Sequence, residues 1–235
     1  TSPNEGIAPL TPFFLHNRLF SDRSGDLYER KGDWREQEEQ LNEDRRTAVS
    51  EILDLGGVEL VVKFSYTIEN PRLVGRALGE VSNSGIDTFL LPEKLIENDS
   101  VLWNLCSHYA WSRRYALGWK WFDDIEKLNW SSEQVSALLR CLPFTGGAWQ
   151  RVEQSLQETQ NDYWLKIEGN AYQTDEGDDL EYAIDKFLAH DRPYSAIQCF
   201  SKIFYDKKPI NFSLCCKTLL AAVSTKEPMH QFNFS

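Results

Sequence analysis

Positive charge is in deficit in this chain. It carries 25 Lys and Arg against 36 Asp and Glu, a formal net charge of −11. A chain of that sign repels phosphate backbones, so nucleic acid is not favoured as a partner. Long apolar runs are missing too; none approaches the length of a bilayer span, and no membrane association is expected. No secretory signal pattern opens the sequence, so the Asn-x-Ser triplets at Asn98, Asn129, Asn211 and Asn233 read as coincidence. The five cysteines are odd in number and form no CxxC pair. Most fall where a helix would bury them, which points to reduced core thiols and a cytoplasmic location. Methionine is nearly absent, with Met229 alone. The chain starts at Thr1 and stops in an apolar QFNFS, so an internal piece of a longer protein is expected.

The signatures of common chemistry are missing as well. Nothing fits GxxxxGK[ST], GxSxG, HExxH or GxGxxG. Gly146-Gly147 ahead of a helix could offer backbone N–H groups to an anion, but a tight turn explains it more simply. His16, His108, His190 and His230 are scattered. His190 beside Asp191 could be a base with an orienting carboxylate, yet neighbours on a turn rarely meet in that geometry. Asp175, Glu176, Asp178, Asp179 and Glu181 cluster around Gly177, but without the ligand spacing of a calcium loop. A solvated acidic loop that also favours the following helix N-terminus accounts for them. Asp123, Asp124 and Glu126 read as helix surface. No catalytic residue, metal or cofactor is therefore expected.

What the sequence does have is helical period. Leu41, Ala48, Val49, Ile52 and Leu53 share one face, and Gly56-Gly57 closes that helix. Leu60, Val61, Phe64 and Ile68 line the next. Asn70-Pro71 starts a third as N-cap and first helical residue, with Leu73, Val74, Ala77, Leu78 and Val81 apolar. Asn83-Ser84-Gly85 reads as a turn, and Pro92 limits Asp87–Ile96 to a turn or two of helix. Asp99 or Ser100 caps a helix to about Ala116, Gly118 breaks it, and Trp119–Leu128 forms another. Ser131 with Gln134 makes a capping box, Pro143 a stop, and Thr145 a further cap. Trp149, Val152 and Leu156 then face inward, followed by Tyr163, Trp164 and Ile167. Glu168–Asp179 reads as an exposed loop. The last block places Leu180, Ala183, Ile184, Phe187 and Leu188 on one face, with Pro193 starting a return helix. Pro209-Ile210-Asn211 leads into a final helix with Leu214, Leu219, Leu220 and Val223 apolar.

Helix starts recur at spacings of about 14 to 18 residues, so pairs repeat in the range of tetratricopeptide and HEAT-type arrays. The expected fold is all-α, a right-handed-type α-solenoid or degenerate helical repeat of about ten short helices. An irregular single-core bundle is the structural rival. Residues 1–34 read as an extended or linker-like segment and 35–235 as the helical domain, with sub-blocks 35–130 and 131–235.

Three segments carry a resemblance: 45–79 (Arg-x-x-Ala-Val, then Gly-Gly), 138–164 (Leu-Pro-Phe, then Trp, then Tyr-Trp) and 185–223 (Arg-Pro-x-x-Ala-Ile). Together they resemble the α-helical repeat region of very large bacterial proteins, in which an NTPase module, often of the STAND type, or another effector precedes a long helical array. The resemblance implies a scaffold in signalling or phage sensing and carries over no functional residue.

Aromatics are dense between Trp103 and Trp130, with Arg113-Arg114 among them. Aromatic rings with arginine make hot spots for protein partners, although rings at helical spacing also fill grooves between helices. Trp111, Arg113, Arg114, Trp119 and Trp121 are the candidate binding residues. The function expected is a non-catalytic interaction module, part of a sensor or regulatory arm, that binds a protein partner or another part of its own chain. A hydrolase or nuclease using clustered carboxylates and His190 is one alternative, and a purely structural spacer is another.

Overall fold

A computed structural model of the chain describes residues 17–21, 34–81, 84–177 and 179–227. Among them all regular structure is helical. The ten α-helices are α1 (Trp34–Ser65), α2 (Pro71–Val81), α3 (Ser84–Lys94), α4 (Ser100–Asp124), α5 (Ser132–Arg140), α6 (Gly146–Leu156), α7 (Asn161–Lys166), α8 (Leu180–Ala189), α9 (Pro193–Tyr205) and α10 (Phe212–Ser224). The chain divides into two compact units, Thr1–Asn129 and Trp130–Ser235.

In the first unit α2 is the centre. It packs on α1 and, most closely, on α4. Gly75 and Gly79 make that approach possible: a Cβ at Gly75 would lie 2.1 Å from the Leu105 carbonyl oxygen, and one at Gly79 would lie 2.6 Å from Ser112 Cβ. Spaced one turn apart, they give α2 a bare strip against which the α4 backbone rests. Val74, Ala77 and Leu78 fill the sides, and Asn70 starts the helix by accepting from Arg72 N at 3.2 Å. Two breaks expected at glycine are present, although the helices run on around them. Gly57 (φ 68°, ψ −169°) interrupts α1, and Gly118 (φ 72°, ψ −171°) interrupts α4, in a backbone region that only glycine occupies at low cost.

Most of the expected N-terminal segment lies outside the described residues. Its described part is bound into the unit: Asn17–Phe20 forms a 3₁₀ turn whose Phe20 ring is fully buried, edge-on to Phe64 at 5.5 Å. Arg45 Nε donates to Leu19 O at 2.9 Å, and Asn70 N to Phe20 O at 3.0 Å. Pro92 does not break the helix expected as a turn or two over Asp87–Ile96, which begins earlier, at Ser84. It sits inside α3, and Leu90, Leu91 and Leu95 are buried around it, so packing outweighs the lost backbone donor.

In the second unit the caps expected at Ser131 and Thr145 are in place, and Asp179 adds one that was not expected. The Ser131–Gln134 capping box is complete, Thr145 caps α6, and Asp179 accepts from Glu181 N and Tyr182 N at the start of α8. An aromatic core joins the helices. Phe144 meets Trp149 edge-on at 5.0 Å and stacks on Phe187 at 5.6 Å, and Trp164 meets Phe187 at 5.5 Å. The segment expected as an exposed loop is partly structured. Ala171–Gln173 forms a 3₁₀ turn with Ala171 buried, and Gln173 Oε1 accepts from Phe144 N at 2.9 Å. Asp175, Glu176 and Gly177 are exposed; Asp178 lies outside the described residues.

Candidate functional site

The five candidate binding residues sit on α4, and the helix sorts them. Trp111 is on the surface, in line with the exposed Tyr115 four residues on. Arg114 lays its guanidinium over the Trp119 ring at 4.1 Å. The Gly118 break is what permits this contact between residues five apart, because it turns the chain and brings the half-buried indole back under the arginine.

Arg113 and Trp121 go the other way and are 8 % and 5 % exposed. Both are drawn in by Asp87 of α3, itself buried. Asp87 accepts from Tyr109 Oη at 2.6 Å, from Trp121 Nε1 at 3.0 Å and from Arg113 Nη2 at 3.4 Å. This cluster ties α3 to both halves of α4 and gives a buried carboxylate the partners it needs. Arg113 and Trp121 are thus struts of the first unit, and the surface expected from all five residues reduces to Trp111, Arg114 and Trp119. Nothing in the sequence pairs Asp87 with residues 22 to 34 positions away.

His190 and the acidic cluster considered for chemistry lie at opposite ends of α8. His190 is the C-cap of α8; its Nδ1 lies 2.7 Å from Lys186 O and its Nε2 lies 3.0 Å from Asn161 Oδ1. Asp179 is at the other end of the same helix, about 16 Å away at 1.5 Å per residue. Glu181 accepts from Asn211 Nδ2 at 2.9 Å. Among the described residues no group of three His, Cys, Asp or Glu side chains could hold a metal ion. His16 and His230 lie outside the described residues. Two buried thiols are held protonated, desolvation pushing Cys106 and Cys199 up to about 12.

A second surface was not singled out from the sequence. On α10 only Leu214 and Thr218 are buried. Phe212, Cys216, Leu219, Leu220 and Val223 are exposed, Leu220 at 73 % and Val223 at 86 %. Their spacing (i, i+4, i+7, i+8, i+11) puts them on one face, opposite the buried pair. Phe204 and Tyr205, at the end of α9 just before the turn into α10, are exposed as well. The signal was present in the sequence: α10 is apolar on both sides, and two sides cannot both face one neighbouring helix.

The end of α10 is fastened. Thr225 Oγ1 donates to Asp191 O at 3.2 Å. Glu227 turns inward, accepting from Tyr194 N at 2.5 Å and Ser195 Oγ at 2.6 Å at the start of α9. Arg192, buried beside it, donates to Trp164 O at 2.8 Å and Ile167 O at 2.7 Å. The exposed face therefore belongs to a helix held at its far end.

No family model matches the chain, and neither a curated protein nor a solved structure matches it. No described helix is long and apolar enough to cross a membrane.

Proposed function

We propose that the chain is a non-catalytic helical interaction module that binds a protein partner or another part of its own chain. The observation carrying this reading is the outward face of α10, five side chains on one stripe of a helix anchored at its end. Apolar residues in contiguous groups on a surface mark contact sites far more often than isolated ones do. Trp111 and the Arg114–Trp119 stack on α4 form the second surface of the same module.

In this reading the helices stack as a degenerate α-solenoid, in which α10 carries an apolar face that another helix or a partner covers. The likeness of segments 45–79, 138–164 and 185–223 to the repeat regions of STAND-type bacterial proteins supports a cytoplasmic sensor or regulatory arm. The module then belongs to a longer protein in signalling or antiviral defence.

A photo-reactive residue placed at Val223 of the parent protein, irradiated in cells, tests the reading. The expected product is one discrete adduct, to another protein or within the parent chain. Leu220→Asp should abolish it without lowering the thermal midpoint, because Leu220 is not part of the core. If position 223 cross-links no more efficiently than the same group placed at exposed Glu176, the reading fails.

A further inference from the structure

The surroundings of α10 specify what fits its outward face, an inference that rests on the interaction-module reading. We propose that this face docks an acidic amphipathic helix: a partner segment with apolar side chains at i, i+3 or i+4 and i+7, flanked by Asp and Glu. The stripe from Phe212 to Val223 spans about 16 Å, room for three turns of a partner helix laid along it.

Charge supplies the second argument. Lys207 and Lys208 precede α10, Lys217 lies within it and Lys226 follows it, and all four are exposed. The nearby acidic groups are occupied. Asp206 binds Lys202 and lies 4.0 Å from Lys208, Glu181 accepts from Asn211 Nδ2 at the start of α10, and Glu227 is turned into the start of α9. Asp185 on α8 lies 3.7 Å from Lys217, an exposed pair that solvent screens. A chain of net charge −11 thus frames its apolar stripe with four lysines, two of which, Lys208 and Lys217, have a carboxylate within 4.0 Å. Such a frame attracts acidic flanks and speeds their encounter.

The same frame argues against the other occupants. A second copy would bring lysines against lysines around the two stripes. An anionic bilayer would meet four lysines spread over 20 positions on a strongly acidic chain, short of the clustered basic run that holds a protein to such a surface. An interfacial helix also needs a polar face turned to water, whereas the rear of α10 packs Leu214 and Thr218 into its own unit.

The test uses the whole chain and a fluorescent synthetic helical peptide of about 14 residues, enough for the stripe. Its apolar positions are Leu and its flanks Glu; a control carries Lys in place of Glu. Fluorescence anisotropy should show the Glu peptide binding at least about tenfold tighter than the Lys peptide. The pair Lys217→Glu and Lys226→Glu should reverse that order. Leu220→Asp should weaken the Glu peptide at least about tenfold with the thermal midpoint unchanged. Bound peptide should also slow alkylation of Cys216, which lies within the stripe.

Equal binding of the two peptides, still lost in Leu220→Asp, overturns the acidic partner and leaves the interaction module standing. Absence of binding by either, with Val223 cross-linking intact, does the same. Absence of both sinks the two readings together. Co-sedimentation with phosphatidylserine vesicles that exceeds peptide binding, or self-association in sedimentation velocity that Leu220→Asp removes, replaces the helix by a membrane or by a second copy.

Discussion

Asp87 shows how much one side chain can organise. Its carboxylate is buried and takes donors from Tyr109, Arg113 and Trp121, so it holds α3 against α4 on both sides of the Gly118 break. Removing it takes from the buried Arg113 its ion-pair partner and from Tyr109 and Trp121 the carboxylate they donate to. Loss of one member of a buried ion pair costs about 3–5 kcal/mol. Asp87→Ala is therefore expected to lower stability in that range by urea denaturation, whereas Asp87→Asn, whose amide oxygen can accept from Trp121 while its NH2 donates to the Tyr109 hydroxyl oxygen, should cost less. Equal losses in the two variants would show that the charge, and not acceptance as such, is what the cluster needs. Arg113 and Trp121 stood out in the sequence because they are aromatic-rich helix positions next to Arg114. Their partner did not, since a hydrogen bond between residues 26 or 34 apart leaves no local trace.

Among the elements, α2 was the most legible and also the most revealing. Asn70-Pro71 and the apolar period fixed its start and its buried side. The role of Gly75 and Gly79 was invisible, because a glycine in a helical pattern reads as a mere cost in propensity. In the structure they are contact points. Gly75→Ala gains about 1 kcal/mol of helix propensity. It also places a methyl 2.1 Å from the Leu105 carbonyl oxygen, a backbone atom that cannot step aside without moving α4. Overpacking of that kind costs about 1–3 kcal/mol, occasionally more, so a net loss is expected. The check is a lower thermal midpoint for Gly75→Ala together with faster amide exchange along both α2 and α4; a raised midpoint would mean that the two helices can part freely. On α10 the balance is reversed. Its period was read correctly as helical, but the sequence could not say which of its two apolar sides had a neighbour.

For the molecule as a whole, the shifted groups point to loss of stability in acid. Burial, with help from the Arg72 and Arg76 charges, pushes the His108 pKa below its ordinary value. The folded state therefore binds this proton less readily than the unfolded state does. The stability it contributes is full above the unfolded value of about 6.5 and is lost as pH falls below it. Asp162 adds a later step. Burial opposes ionisation there, but the Lys166 and Ser136 hydrogen bonds prevail and hold its carboxyl below the usual range. That contribution is present above about pH 4 and disappears as pH drops through the lowered value. Thermal unfolding should accordingly show a midpoint that declines from pH 7 to pH 5 in the native sequence and declines less in His108→Gln. Parallel slopes in the two proteins would remove His108 as the cause.

By itself the sequence determined the helices, most of their caps and breaks, and the absence of familiar catalytic motifs. Those features are encoded within a few residues, by period, by Ser, Thr, Asn and Asp at N-caps, and by Gly and Pro at stops. Tertiary structure decided which apolar side of each helix is covered. It turned Arg113 and Trp121 inward onto Asp87 and left Trp111 and the Arg114–Trp119 stack at the surface. It spent Leu214 and Thr218 on the core and left Phe212, Leu219, Leu220 and Val223 facing out. Burial depends on neighbours distant in the chain, and an apolar residue looks the same in sequence whether or not such a neighbour arrives.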